Sequence, residues 1–97
     1  MARYDVYRSP DGYMLDVQID LLDDLDTRIV VPLLPVGQAP KIAKFLNPSF
    51  EIDGDLHMLA MQYLAAVPAS VLKVPVHSLA NRADEITRAL DMLFHGF

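Results

Sequence analysis

The dipeptide Asp53-Gly54 limits the fold more than any other feature of this chain. Asp-Gly is what a two-residue type I′ turn prefers, because both central residues need positive φ. It lies between Phe50-Glu51-Ile52 and the run from Asp55 to Leu64. These two segments are therefore expected to fold back on each other as a hairpin. A second turn signal stands at Ser9-Pro10-Asp11-Gly12, where Pro presets φ and Gly permits positive φ. Before it, Arg3 to Arg8 alternates polar and apolar residues; after it, Tyr13 to Ile19 resumes strand character. Two hairpins within 97 residues point to one domain, residues 1–97, built on a small antiparallel sheet.

Between the hairpins, Asp20 to Thr27 is too rich in Asp for a central strand. Arg28-Ile29-Val30-Val31-Pro32-Leu33-Leu34-Pro35 has a β-branched centre and reads as a strand. Its prolines donate no ladder hydrogen bond, which places it near a sheet edge or a bulge. Val36 to Pro48 is ambiguous; Pro40 could open a short helix through Leu46. Val67-Pro68 reads as an interruption, and Ser70 to Val76 as a last strand.

The end of the chain changes period. Ala83, Ile86, Leu90, Leu93 and Phe94 recur at three- and four-residue steps and define one face of a helix. Asp84, Arg88, Asp91 and His95 define another. Asn81 is the expected N-cap, and Asp84 and Glu85 suit the positive N-terminal end. Gly96 stands where a left-handed residue ends a helix.

Hydrophobic residues make up 53% of the chain. That is more than a domain of this size hides in one core, so a homodimer is expected. The chain has no Cys, which removes disulfides, thiolate metal sites and thiolate nucleophiles, and suits the cytoplasm. The N-terminus lacks the apolar run of a signal peptide, and no stretch approaches the ~20 apolar residues of a membrane span. Eight basic residues stand against 13 acidic ones, for a net charge of −5. Binding to nucleic acid needs clustered cations to displace counterions from phosphates. Here the cations are scattered, so a protein partner is favoured over direct nucleic-acid binding.

Catalytic signals are missing. His57, His77 and His95 are far apart and none has a second ligand at helical or strand spacing, so no zinc site is expected. Asp20, Asp23, Asp24 and Asp26 lack the order and the terminal Glu of a calcium loop, and read as a solvated loop. The chain has no Gly-rich phosphate loop and no G-x-S-x-G elbow. Met58 and Met61 read as core or dimer packing. No cofactor is expected.

The unusual segment is Phe94-His95-Gly96-Phe97, two aromatic rings and an imidazole at the last helical turn. Two readings are open: a helix cap in which Phe97 touches Met92, and an aromatic anchor for a partner.

Several segments in order are similar to the CcdB toxins of bacterial toxin–antitoxin pairs. Leu15-Asp16-Val17-Gln18 followed by Asp20-Leu21-Leu22-Asp23 resembles the family's V-D-V-Q-x-D-[IL]-[IL]-D stretch. Arg28-Ile29-Val30-Val31-Pro32-Leu33 resembles its R-x-V-I-P-L strand. Ala66-Val67-Pro68-Ala69-Ser70-Val71 is similar to its [AT]-S-V-P-V-x-[VI] segment, and Leu90 to Phe97 to its C-terminal helix ending in Gly-Ile. The resemblance implies a mainly β, α+β fold: an SH3-like small barrel or antiparallel sheet with a C-terminal α-helix, dimerised through the sheet. It implies a non-enzymatic toxin that binds the A subunit of DNA gyrase and traps the cleaved gyrase–DNA intermediate. A cognate CcdA-like antitoxin would neutralise it. The gyrase-facing residues would be Asp91, His95, Gly96 and Phe97; the antitoxin-facing surface would include Leu21, Leu22 and Asp23. His95 stands where well-known members carry a Trp, Asp91 where they carry Asn, and Phe97 where they carry Ile. Two other readings compete. A MazF-like endoribonuclease shares the scaffold and would draw on Arg28 or Arg82 beside a general base. A member that has lost toxicity would keep the fold alone.

Overall fold

The structure, a computed structural model, describes residues 2–38, 43 and 45–96. Strands β1 (Asp5–Ser9) and β2 (Gly12–Asp16) form the first hairpin, with Val6 opposite Leu15 and Ser9 opposite Gly12. Gly12 is required there by proximity: a Cβ would lie 2.5 Å from the Leu33 carbonyl oxygen. Strand β3 (Thr27–Pro35) runs antiparallel to β2. Strands β4 (Ser49–Ile52) and β5 (Asp55–Leu59) form the second hairpin. Its two turn residues, Asp53 and Gly54, have φ of 54° and 85°, the pair of positive values a type I′ turn needs. Strands β6 (Ala65–Pro68) and β7 (His77–Ser78) are short, and helix α1 (Ala83–His95) closes the described chain. The sheet order is β4-β5-β3-β2-β1-β7, with β6 also paired to β3. The result is a nearly closed, barrel-like antiparallel sheet with one helix against it, a small SH3-like α+β fold.

Alternation along the strands creates two apolar layers. Val6, Leu15, Val31, Leu33 and Leu59 point to one face and are fully buried. Ile86 and Ala89 of α1 cover them, with Leu90 and Leu93 packed at the margin. Burying Ile86 contributes about 1.5–3 kcal/mol. Tyr7, Val30 and Leu72 form a second cluster with Met14 and Val67. Tyr7 pairs with Met14, and Val30 with Asp16, so this cluster lies on the opposite face of the same strands.

Several expectations are corrected. β3 is a central strand, not an edge. Its first half pairs with β6 (Thr27 to Val30) and its last three residues with β5 (Leu33 to Pro35). Pro32 sits where β6 has ended and β5 has not begun, and its carbonyl accepts the Ala60 N–H at 2.9 Å. A missing N–H is harmless at such a gap. Ala65–Pro68 is a strand, because Arg28 to Val30 offer it a free edge. Residues 70–76 are not: a 3₁₀ turn at Ala69–Val71 leads into an irregular stretch anchored by buried Leu72 and by the Val76 N–H on the Val6 carbonyl at 2.8 Å, and Val74 is 74% exposed. The second strand of the second hairpin stops at Leu59 and is followed by a 3₁₀ turn at Met61–Tyr63. Asn81 does not cap α1. It lies inside a 3₁₀ turn (Ala80–Arg82), and the residue at the cap position, Arg82, makes no side-chain capping bond. Of the helix proposed from Pro40 to Leu46, residues 40–42 and 44 lie outside the described residues.

Candidate functional site

The Asp-rich segment after β2 folds as a 3₁₀ turn, Asp20–Leu22, closed by the Asp23 N–H on the Asp20 carbonyl at 3.1 Å. Three charged or polar groups tie it down. The Arg3 N–H donates to Asp20 Oδ1 at 2.8 Å. Gln18 Nε2 donates to the Leu22 carbonyl at 2.9 Å. Arg28 Nη1 donates to Asp23 Oδ1 at 3.1 Å. Held this way, the loop cannot tuck its leucines inward, and Leu21 is 87% exposed, with Ile19, Leu22 and Leu25 about half exposed.

Beneath the loop lies a buried ion pair. Arg28 and Asp16 side chains are both wholly buried. Arg28 Nε donates to Asp16 Oδ2 at 2.9 Å. Nη2 is 2.6 Å from the same oxygen, close enough for the ion pair but not aligned as a hydrogen bond. Burial pushes the Asp16 carboxyl upward, against the Arg28 contact and the Gln18 N–H that hold it down. The Tyr7 hydroxyl is buried with no hydrogen-bond partner among the described residues, and burial raises it too.

Helix α1 brings its C-terminal end to the same place. Gly96 adopts φ 80° and its N–H reaches the Met92 carbonyl at 3.1 Å, so the helix ends there as its glycine predicted. Asp91, His95 and Gly96 are exposed on this end. Phe97 lies outside the described residues, and with it the contact to Met92. Phe94 leaves the core face it was assigned to; it is 63% exposed, and Ala89 is buried instead. Phe94 and Leu90 form one wall of an apolar groove of about 520 Å³; Leu22, Leu25 and Ile19 form the other. Of the two segments Leu21-Leu22-Asp23 and Phe94-His95-Gly96, Leu22 and Phe94 line this groove, while Leu21, Asp23, Asp91, His95 and Gly96 are not part of its lining.

A match to known proteins now bears on this geometry. The family model described as CcdB protein covers residues 3–96. The chain belongs to the CcdB family. The family assignment makes it a toxin of a toxin–antitoxin pair. The two arginines an endoribonuclease reading would use are both engaged in this CcdB-family fold. Arg28 is buried against Asp16, and Arg82 Nη2 donates to Glu85 Oε2 at 2.9 Å. That hydrogen bond holds Arg82 above and Glu85 below their ordinary values. Among the described residues no group of three or more His, Cys, Asp or Glu could hold a metal ion, and no helix is long and apolar enough to cross a membrane.

Sequence reasoning missed the groove residues Ile19 and Leu25 and the Asp16–Arg28 pair. A signal for the first was present: leucines scattered through an Asp-rich run have no partner strand to bury them. No signal marked Asp16 and Arg28 as partners, because pairing across β2 and β3 depends on register.

Proposed function

We propose that this CcdB-family toxin, one unit over residues 1–97, acts as a homodimer on the A subunit of DNA gyrase. Bound there it traps the cleaved gyrase–DNA intermediate, and a cognate CcdA-like antitoxin silences it in the cytoplasm. The observation that carries the reading is the exposed Phe94 at the end of α1. A large apolar ring held in water beside an apolar groove is unfavourable unless a partner covers it. Asp91, His95 and Gly96 surround it on the same helix end, and Phe97 follows in sequence. Leu21 and Leu22 on the facing loop, with Asp23 beside them in the same turn, supply the neighbouring antitoxin surface. The chemistry is binding alone; the toxin forms no bond of its own and needs no cofactor.

The test is DNA cleavage with purified protein, gyrase, ATP and supercoiled plasmid, run with the full chain and with a version lacking Gly96 and Phe97. Linear DNA with the full chain and none with the shortened one is the expected result. No trapped cleavage with either version removes gyrase as the target. Specific cuts in a long RNA would replace binding with nuclease chemistry.

A further inference from the structure

Asp23 is exposed over 59% of its side chain, yet its carboxylate turns inward to Arg28 Nη1. Arg28 has no freedom to follow it outward. Its Nε is fixed on Asp16, and Asp16 Oδ1 in turn accepts the Gln18 N–H at 3.0 Å. The Gln18 side chain spans two elements: Oε1 accepts the Ile29 N–H at 3.0 Å, while Nε2 donates to the Leu22 carbonyl. Side chains rooted in the β2–β3 region therefore grip two consecutive loop residues, Leu22 and Asp23, from below. The neighbouring Leu21 and Leu22 are the apolar groups the turn displays. An untethered turn would pay conformational entropy on meeting a partner that this one has already lost. A carboxylate meant for direct recognition would face solvent, not a buried guanidinium.

We infer that Asp23 is a positioning residue: latched to Arg28, it fixes the turn that presents Leu21 and Leu22 and is not itself a partner contact. This rests on the proposed reading of that turn as a binding surface. Leu21 and Leu22 make the contact, Arg28 sets the height of the turn, and Gln18 sets its angle.

Amide hydrogen exchange on the free full-length chain tests the latch without any partner. The Leu22, Asp23 and Leu25 N–H groups, each bonded within the loop, are the reporters. In Asp23→Ala they exchange roughly three- to fivefold faster, the scale of one partly solvated ion pair. Asp23→Asn, which keeps an acceptor oxygen, accelerates them less. Amides of Ile86 and Ala89 in α1 are unchanged in both. Titration with the cognate CcdA-like antitoxin then shows weaker binding for Asp23→Ala with the same salt dependence as wild type, since no charge pair with the partner is lost. Unchanged loop exchange in Asp23→Ala overturns the inference. So does a reduced salt dependence of binding, which would make Asp23 a direct contact. If the antitoxin does not bind at all, the exchange result still decides the latch, so the two readings fail separately.

Discussion

Replacing Arg28 by Met would remove the guanidinium while keeping an unbranched apolar stem in the second core cluster. Asp16 would lose the Nε bond at 2.9 Å and the Nη2 charge at 2.6 Å, and would keep the Gln18 N–H at 3.0 Å. Both side chains are wholly buried, so water cannot take the place of the lost partner. Breaking such a pair from one side costs about 3–5 kcal/mol. A domain of this size has about 5–15 kcal/mol in total, and each kcal/mol moves Tm by roughly 4–8 °C. R28M is therefore expected to melt at least about 12 °C below wild type, or not to fold. The double variant Asp16→Leu with Arg28→Met removes both charges and should recover to within about 1–2 kcal/mol of wild type. Urea unfolding followed by far-UV circular dichroism and Tyr fluorescence measures both, at fixed protomer concentration because self-association shifts apparent stability. The pH dependence supplies a sign. In R28M the folded Asp16 carboxyl sits further above its unfolded value, so the penalty is absent below the ordinary carboxylate range and grows as pH rises toward the folded value. An R28M deficit under about 1 kcal/mol, or a double variant as unstable as the single one, would refute the account of this pair.

Three further outcomes are expected. Gly12→Ala places a Cβ 2.5 Å from the Leu33 carbonyl, so it should cost about 1–3 kcal/mol in the same unfolding assay, whereas Gly54→Ala meets no atom and pays only for its positive φ. Asp53 is held below its ordinary value, first by the Tyr13 hydroxyl at 2.7 Å and then by His77. Its contribution is present above the unfolded carboxylate pKa and lost as pH falls through the depressed folded one, so Asp53→Asn should be less stable than wild type at neutral pH and converge with it in acid, read by melting temperature across that range. Leu21→Asp should leave the melting temperature within about 3 °C of wild type, because Leu21 is almost fully exposed, while abolishing binding of the cognate antitoxin measured by calorimetry.

The hairpins were legible because their turns carry local chemistry: Asp53-Gly54 and Ser9 to Gly12 demand particular backbone angles wherever they occur. The helix was legible from its period, and its end from Gly96. What failed depended on distant pairing. Pro32 looked like an edge marker, and only the handover from β6 to β5 along β3 shows why an interior proline is tolerated. Residues 70–76 have strand-like composition, yet only the Val76 N–H joins a strand, at the Val6 carbonyl, whereas Ala65–Pro68 pairs along the first half of β3. At the candidate site, the helix end and the acidic loop could each be picked out as segments. Their meeting in one groove, and the burial of Asp16 with Arg28 beneath it, follow from register across β2 and β3, which residue types alone do not specify.

The two outer strands of the sheet order, β4 and β7, share no pairing with each other. Side chains bridge them: His77 Nε2 lies 3.2 Å from Asp53 Oδ1, and the Arg82 guanidinium stacks 4.7 Å from the Phe50 ring. The barrel is therefore a split ring with a clasp. A ring fastened by backbone ladders resists opening equally around its circumference; one fastened at one seam by side chains alone has a built-in line of parting. The β4–β5 hairpin, joined to β3 by three residue pairs, is the leaf that swings when the clasp lets go. Sub-global opening of this toxin should begin at that leaf and leave the groove, on the far leaf of β2, β3 and α1, intact while it does.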